Sequence, residues 1–502
     1  MSFAGLLPGD RKFLSDLQEK RDIEKSNKKS GDRRTIEPCL FEKFTITSNK
    51  KDSEDIVNLT GGFVRFMYYE SLLSNTIQAT YTYLDTGDTV NNSKEGSNCK
   101  NTGTALEKLP IVGGEVAEIK LTDNRGNTLE FSTKLNNALR VNKPESFDDK
   151  TTQSAAQLQL TSQEFFDNEL EETRVVKCYE GQISTTIDSI LKECLKTEKS
   201  IKSEQTGSKD FKFTGNTRKP FYCINNLSTK AVPQGNDKLG NSAGFLFWET
   251  TDGYNFKSLD SLLGQKQKKS IIYNDSTDNE SIPANYDLKA LEFVKSSGIN
   301  LQGKLFMGAY ATKSASFSFY DPDLTDQFFS SSKKEDGDGT TPVGSQDYLT
   351  LAGEDLPNFS DDFSKPSRIT WQVEDTGSRV IGDTDEQLDK STEENFDWKK
   401  IYNQSIMRYN QLFASTITVT VGGDFSLHAG DAVYIDGPSL KAETTSNIDV
   451  DKKDGGVYII ADLAHYVSSK ETYTKLNLIR DSVGRKGKPK GNNYDNILSG
   501  WG

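Results

Sequence analysis

Short runs in which apolar and polar side chains alternate are what most narrows the folds open to this chain. In TIQATYTYL, Ile77, Ala79, Tyr81 and Tyr83 alternate with threonine and glutamine, and a period of two places one set on a single buried face of a β-strand. EVAEIKL repeats the pattern through Ala117, Ile119 and Leu121. After the turn TDNRGN it continues in TLEFS with Leu129 and Phe131, which predicts a hairpin. The same alternation returns late in the chain, in STITVTVGG, DAVYIDGPS, GGVYIIADLAHYV and YTKLNLIRDS.

Helical spacing is confined to the middle. Thr161 and Glu164 stand in capping-box spacing at the head of TSQEFFDNELEETRVVKCYEG, and Ile183, Ile187, Ile190, Leu191, Cys194 and Leu195 form one helical stripe. RKPFYCINNLSTKA reads as a further helix-like segment, and GFLFWETTDGYNFKSLDSLL as a hairpin about ETTDG. The chain therefore divides into an N-terminal arm (1–35), a first all-β unit (36–155), a middle α/β segment (156–290), and a second all-β unit (291–482) beginning near LQGKLFMGAYATKSASFSFYDP. A loop-rich insertion occupies about 325–395, and a tail 483–502 carries Arg485 to Lys490 and an apolar end with Ile497, Leu498 and Trp501. The expected fold class is β-rich α+β with long loop insertions.

Composition decides which chemistries are open. The 27 Phe and 19 Tyr supply bulky core groups that a disordered chain of similar charge lacks. No stretch approaches 18 consecutive apolar residues, which predicts a soluble protein made in the cytoplasm without a membrane anchor. The five cysteines (Cys39, Cys99, Cys178, Cys194 and Cys223) are widely spaced and read as reduced thiols, with Cys178 and Cys194 in helical patterns of the core. With 61 basic against 74 acidic residues and a formal charge of -13, general adhesion to nucleic acid is opposed. Such a balance is compatible with a passage through which DNA slides.

Candidate sites are few and bland. GNSAG matches G-x-S-x-G around Ser242, yet a polar loop precedes it and a strand-like run follows, where an elbow needs a strand and then a helix. DVDKKDGG, with Asp449, Asp451, Asp454 and Gly455, has one residue too many before its glycine for a calcium loop, and Ile460 stands where the ligand glutamate belongs. DGDG at 336–339 reads as loop. Only two histidines, His428 and His465, are present. The sequence thus assigns no catalytic, cofactor-binding or metal residues, and the chain is expected not to be an enzyme.

Two segments, RKPFYCINNLSTKAVPQGNDKLGNSAGFLFWETTDGYNFKSLDSLL and GGVYIIADLAHYVSSKETYTKLNLIRDSVGRKG, with the lead-in FASTITVTVGGDFSLHAGDAVYIDGPS, resemble the central baseplate hub subunit of contractile-tailed bacteriophages, especially those infecting marine cyanobacteria. The resemblance covers most of residues 36–485. It implies two tail-tube-like antiparallel β-barrels joined by α/β material, and a homotrimer that presents six barrels as a pseudo-sixfold ring. It further implies a structural virion protein at the tail baseplate, which adapts the sixfold tube to the threefold spike and leaves a central DNA passage. Implied partners are the tail tube protein, the central spike, the baseplate wedges and the tape-measure protein. By the same likeness, Gly430 and Asp431 make a turn, and Gly455 and Gly456 open a hairpin at positive φ. His465 is a hydrogen-bonded barrel residue, and Arg480 and Asp481 end the last strand, where they could pair across a subunit boundary or form a surface ion pair within the chain. The alternatives are a tail-associated hydrolase, either an esterase through Ser242 or a cell-wall glycosidase, and a receptor-binding protein using its Ser/Thr/Asn-rich loops.

Overall fold

A computed structural model describes residues 38–50, 56–85, 91–92, 109, 111–150, 153–207, 211–234, 243–273, 285–295, 301–309, 311–318, 324–330, 367–374, 383, 385–386, 398–437, 455–481 and 487–490. The N-terminal arm, Ser242, the aspartates 449, 451 and 454, the DGDG run and Trp501 lie outside these residues. Strands hold 48% of the structure and helices 20%, so the fold is β-rich α+β.

The first unit supplies β1 (Leu40–Thr47), β2 (Ile56–Asn58), β3 (Phe63–Ser71), β4 (Gln78–Asp85), β5 (Asn91–Asn92), β6 (Val116–Thr122), β7 (Thr128–Phe131), β8 (Leu139–Lys150) and β9 (Gln153–Ser162). They pair in the order β3-β4-β9-β8-β6-β1-β2-β5, with β7 on β6. The expected alternation is present: Ala79, Tyr81 and Tyr83 are buried on β4, and Ala117, Ile119 and Leu121 on β6. The TDNRGN hairpin pairs Thr122 with Thr128.

The middle segment contributes β10 (Cys178–Gly181), β11 (Ile201–Ser203), β12 (Phe211–Thr214), β13 (Phe245–Thr250) and β14 (Gly253–Ser258). Ile183, Ile187, Ile190, Leu191 and Leu195 form a buried stripe on the helix Ile183–Ser189 and the π-helical turn Ile190–Cys194 that follows it. The helix Pro220–Ser228 starts on proline, whose missing N–H costs nothing in a first turn. Every residue of β13 is buried because its two faces serve two cores. Phe245 and Phe247 pack with that stripe, while Leu246 and Trp248 pack with Leu412, Ile459 and Ile479.

Two expectations for this segment fail. The helix opened by Thr161 is only Gln163–Asp167, with no side-chain cap bond. Beyond Phe166 no apolar stripe continues, Leu170 and Val176 are exposed, and a short helix without a buried face is not stable. Thr161 instead donates its hydroxyl to the Ile77 carbonyl. Cys178 is exposed on β10, so it is neither helical nor core, whereas Cys194 ends the π-helical turn and packs half-buried against the stripe.

The last region holds β15 (Lys269–Tyr273), β16 (Leu288–Lys295), β17 (Ala311–Ser318), β18 (Leu324–Ser330), β19 (Arg368–Glu374), β20 (Ser415–Gly422), β21 (Ala432–Asp436), β22 (Gly456–Ser468) and β23 (Thr472–Arg480). Six of them, β21-β15-β16-β20-β23-β22, return to β21 and close a barrel. The barrel thus draws β15 and β16 from the chain around residue 290, where a unit boundary was expected. LQGKLFM, expected to open the all-β unit, is the helix Leu301–Met307, and β17 joins β18 and β19, the two strands of the insertion, in a separate sheet.

Both β-units belong to one continuous sheet of 15 strands. Their inner side chains, among them Phe44, Tyr68, Tyr81, Ile417, Leu463 and Leu478, form one apolar core.

Candidate functional site

The place where this sequence commits most polar chemistry is the seam between the two β-units. Its backbone element is β22. The first residues of β22 pair with β21 inside the barrel, and after a bulge between Ile460 and Asp462 the rest pairs with β3, from Asp462 opposite Ser71 to Ser468 opposite Arg65. A bulge bends a strand and raises its twist, which lets one strand leave a closed barrel and enter a neighbouring sheet.

Glu70, on β3 and 2% exposed, is the centre of a clamp over this seam. Its carboxylate accepts from the Ala429 N–H at 2.8 Å, the Thr251 N–H at 3.2 Å and the Tyr68 hydroxyl at 2.7 Å, and it lies 3.1 Å from His428 Nδ1. One carboxylate therefore gathers β3, the turn of the β13–β14 hairpin and the loop before β21. Burial acts to raise its pKa, but the His428 charge and these hydrogen bonds outweigh it and hold the carboxyl below its ordinary value. For His428, burial pulls the imidazole down and Glu70 more than reverses this, leaving it raised.

A second clamp fixes the end of the first sheet to the middle segment. Lys199 Nζ stands 2.6 Å from both Glu164 and Glu249. Glu249 also accepts from the Ile77 N–H at 3.0 Å, just before β4, and from the Ser162 hydroxyl at 2.7 Å, at the end of β9. Burial, with the second carboxylate adding to it, raises the Glu249 pKa. Burial lowers the ammonium of Lys199, but the two carboxylates prevail and keep it raised.

A third clamp joins the β6–β7 turn to the barrel. Arg125 donates to Asp424 at 2.8 Å, and Asp123 accepts from the Phe425 N–H at 2.9 Å.

The structure then places the residues singled out in the sequence. Gly430 has φ +90°, and a Cβ there would meet the Trp248 ring at 2.5 Å, so the predicted turn is a point of close approach. Trp248 Nε1 donates to the adjacent Ala429 carbonyl. Asp431 accepts from Lys268 and from the His428 N–H. Of the glycine pair, Gly456 has positive φ, whereas Gly455 offers its carbonyl to Arg480.

His465 is a hydrogen-bonded barrel residue. Its Nδ1 lies 2.9 Å from the Thr474 hydroxyl, its ring sits against Tyr68 and Phe425, and burial pushes its pKa down to about 4.

The expectation that Arg480 and Asp481 pair across a subunit boundary is overturned. Both are 1% exposed inside this chain. Arg480 lies over the Tyr458 ring at 4.5 Å, and Asp481 faces Arg408 at 4.0 Å. A strand-end charge pair reads as surface in a sequence, but here the helix Trp398–Leu412 covers it.

Sequence reasoning missed Glu70, Glu249 and Lys199. Their one local signal is a charged residue inside or beside a strongly apolar strand pattern, as Glu70 is in FVRFMYYES. Among the described residues no cluster of three or more His, Cys, Asp or Glu side chains is arranged to hold a metal ion, and no helix is long and apolar enough to cross a membrane.

Buried polar clamps on a shared sheet define the class as a strand-rich fold whose two β-units are fixed to each other. By sequence the chain is similar to a baseplate hub protein. It is 23% identical over 307 residues to the probable baseplate hub protein gp334 of Vibrio phage KVP40, a match covering 59% of this chain and 66%, just under two thirds, of that relative. No protein-family model matches. Among solved structures, a tail protein of Neisseria meningitidis MC58 is 10% identical with a TM-score of 0.44, covering 88% of this chain and 96% of its own. The 43 kDa tail protein of prophage MuSo2 from Shewanella oneidensis is 10% identical with a TM-score of 0.43, covering 88% and 98%.

Proposed function

We propose that three copies of this chain form a baseplate hub in the virion tail that matches the sixfold tail tube to the threefold spike and leaves a central passage for DNA. The carrying observation is the β3–β22 ladder, which fixes two β-units of one chain in a single sheet. Two units per chain let a threefold assembly offer six comparable elements, which a protein with a single unit achieves only as a hexamer. The clamps at Glu70, Lys199 and Asp424 support the same reading, because an adaptor under load must hold its two units at a constant angle.

In this reading the tube-like units are the sheet of β1 to β9 and the six-strand barrel. The tail tube and the spike meet opposite rims of the ring, and wedge and tape-measure proteins meet its outer surface and arms. Light scattering of the purified chain, alone and mixed with its spike partner, tests this. A trimer is expected, and a chain that stays monomeric with the spike present overturns the reading.

A further inference from the structure

Two basic runs that lie far apart in the sequence meet on the outside of the barrel. One is QKQKKS at 265–270, which runs into β15, and the other is RKGKPKG at 485–491, beyond β23. The Gln267 amide donates to the Lys488 carbonyl at 2.9 Å, and the Lys490 N–H donates to the Ser270 hydroxyl at 2.9 Å, across 221 and 220 positions. Gly487 has φ +95°, and a Cβ there would meet Val457 at 3.1 Å and the Tyr434 ring at 3.5 Å, two side chains that point away from the barrel core. A buried hydroxyl, a side-chain amide and a close backbone approach thus seat residues 487–490 on β15 and β21. Lys266, Lys268, Lys488 and Lys490 are left exposed. Lys268 pairs with Asp431 at 2.7 Å, while among the described residues the ammoniums of Lys266, Lys488 and Lys490 meet no carboxylate. This basic patch stands on a chain whose formal charge is -13.

The opposite charge is concentrated in the excursion between β16 and β20. There DTDEQLDKSTEENFD, residues 383–397, holds seven carboxylates against Lys390. Its head is an exposed turn. Asp383 accepts from the Glu386 N–H at 3.0 Å, Glu386 accepts from the Asp383 N–H at 3.3 Å, and both are exposed together with Asp385. These bonds shape the turn and leave its negative charge in place. Patch and acidic segment also belong to opposite ends of the barrel. β15 and β16 run parallel, so Lys268 stands at the end where both begin, whereas the excursion leaves from the last residues of β16 and returns at the first of β20. A ring of identical copies joined head to tail needs two different, complementary surfaces on each copy. Opposite charge at opposite ends supplies such a pair.

We infer that the patch of Lys266, Lys268, Lys488 and Lys490 receives the acidic segment 383–397 of a second copy of this chain. The inference rests on the hub reading and assigns one of the junctions between its copies. Complementary charge of this kind steers association and fixes the partner and its register. Nucleic acid is the competing polyanion, but its binding proteins neutralise several phosphates at once, and four lysines, one already held by Asp431, make a short track for a duplex.

The test reverses charges in the full chain and follows association by light scattering through a dilution series at about 0.15 M salt. Lys266→Glu, Lys488→Glu and Lys490→Glu together should weaken association about tenfold or more. Asp385→Lys, Asp389→Lys and Glu393→Lys together should do the same, and a chain carrying both sets should recover the unmodified value. Lys268 is left in place, because it also holds Asp431 beside the His428 clamp. Association unchanged by either set in a verified trimer overturns this contact and leaves the hub standing, whereas unmodified copies that stay single with the spike present overturn the hub reading and the contact with it. A doubly reversed chain that remains weak overturns the pairing. So does retention of a short DNA duplex by the unmodified chain, if reversing the patch abolishes it while association is unchanged.

Discussion

The two β-units of this chain bury similar alternating strands but finish their circuits differently. The barrel closes by hydrogen-bonded ladders all the way round, with β21 paired to β22 as well as to β15. The first sheet runs from β3 to β5, and among the described residues no ladder joins its ends. Its curl is bridged where β1 passes residues 59–63. Leu59 donates to the Phe44 carbonyl at 3.0 Å and Phe44 donates to the Thr60 hydroxyl at 2.8 Å. Phe41 stacks on Phe63 at 4.2 Å and Phe44 on Tyr81 at 3.7 Å. A ladder distributes closure over many bonds, whereas a bridge concentrates it in a few side chains. The first unit should therefore fail at single residues where the barrel does not.

The largest effect is expected at the clamp on the first sheet. Lys199→Met leaves Glu164 and Glu249 facing each other without their cation, and breaking a buried ion pair this way costs about 3–5 kcal/mol. Hydrogen exchange should speed up first at β4 and β9, which Glu249 holds through Ile77 and Ser162. Uniform loosening of the barrel instead would mean that the two units do not differ as described. Phe44→Ala should cost about 3–5 kcal/mol by denaturant titration and open the bridge. A barrel truncation such as Leu478→Ala, costing about 2–5 kcal/mol, should leave the barrel ladders paired.

Two histidines at the seam respond to pH with opposite signs. His465 is neutral and enclosed by the core, with its pKa pushed down to about 4. The unfolded chain takes up that proton near 6.5, so stability should fall as pH drops from about 6.5 to 4, by roughly 3 kcal/mol in all. His428 has the opposite sign. Raised by Glu70, it contributes fully below the ordinary histidine value, and its contribution disappears as pH rises through its folded pKa. Urea midpoints measured against pH should lose the acid-side slope in His465→Asn and the alkaline-side slope in His428→Gln. An unchanged profile in both refutes the assignment. Gly430→Ala should then cost about 1–3 kcal/mol, since an L-residue is strained at its φ of +90° and meets Trp248.

These contrasts also explain what was legible beforehand. Period-two runs such as β4, the β6–β7 hairpin and β20 to β23 could be read because one buried face imposes the pattern locally. KSIIY and LKALEFVK were too short and mixed to be assigned to the barrel, and only pairing with β21 and β20 makes them part of it. The Glu70–His428 contact spans 358 positions, and no local spacing encodes a partner that distant. Arg480 and Asp481 were misplaced for the same reason, since the helix that covers them is remote in sequence.

The smallest prediction tests whether surface charge contributes to holding the bridged unit. Lys43 lies on β1, next to a register shift between Phe41 and Lys43, and reaches Glu118 on β6 at 2.6 Å. The lysine side chain is 48% exposed, so water and salt screen the pair, and Glu118 retains the Thr133 N–H at 3.0 Å when the lysine is gone. Lys43→Ala should cost less than about 1 kcal/mol and the difference should shrink with added salt. If the bridge depends on the aromatic stack of Phe44 and Tyr81, removing both Lys43 and Phe44 should give the sum of the two losses. A loss well beyond that sum would mean that the ion pair braces β1 against the opening, and the contrast between ladder and bridge would then have to include its surface charges.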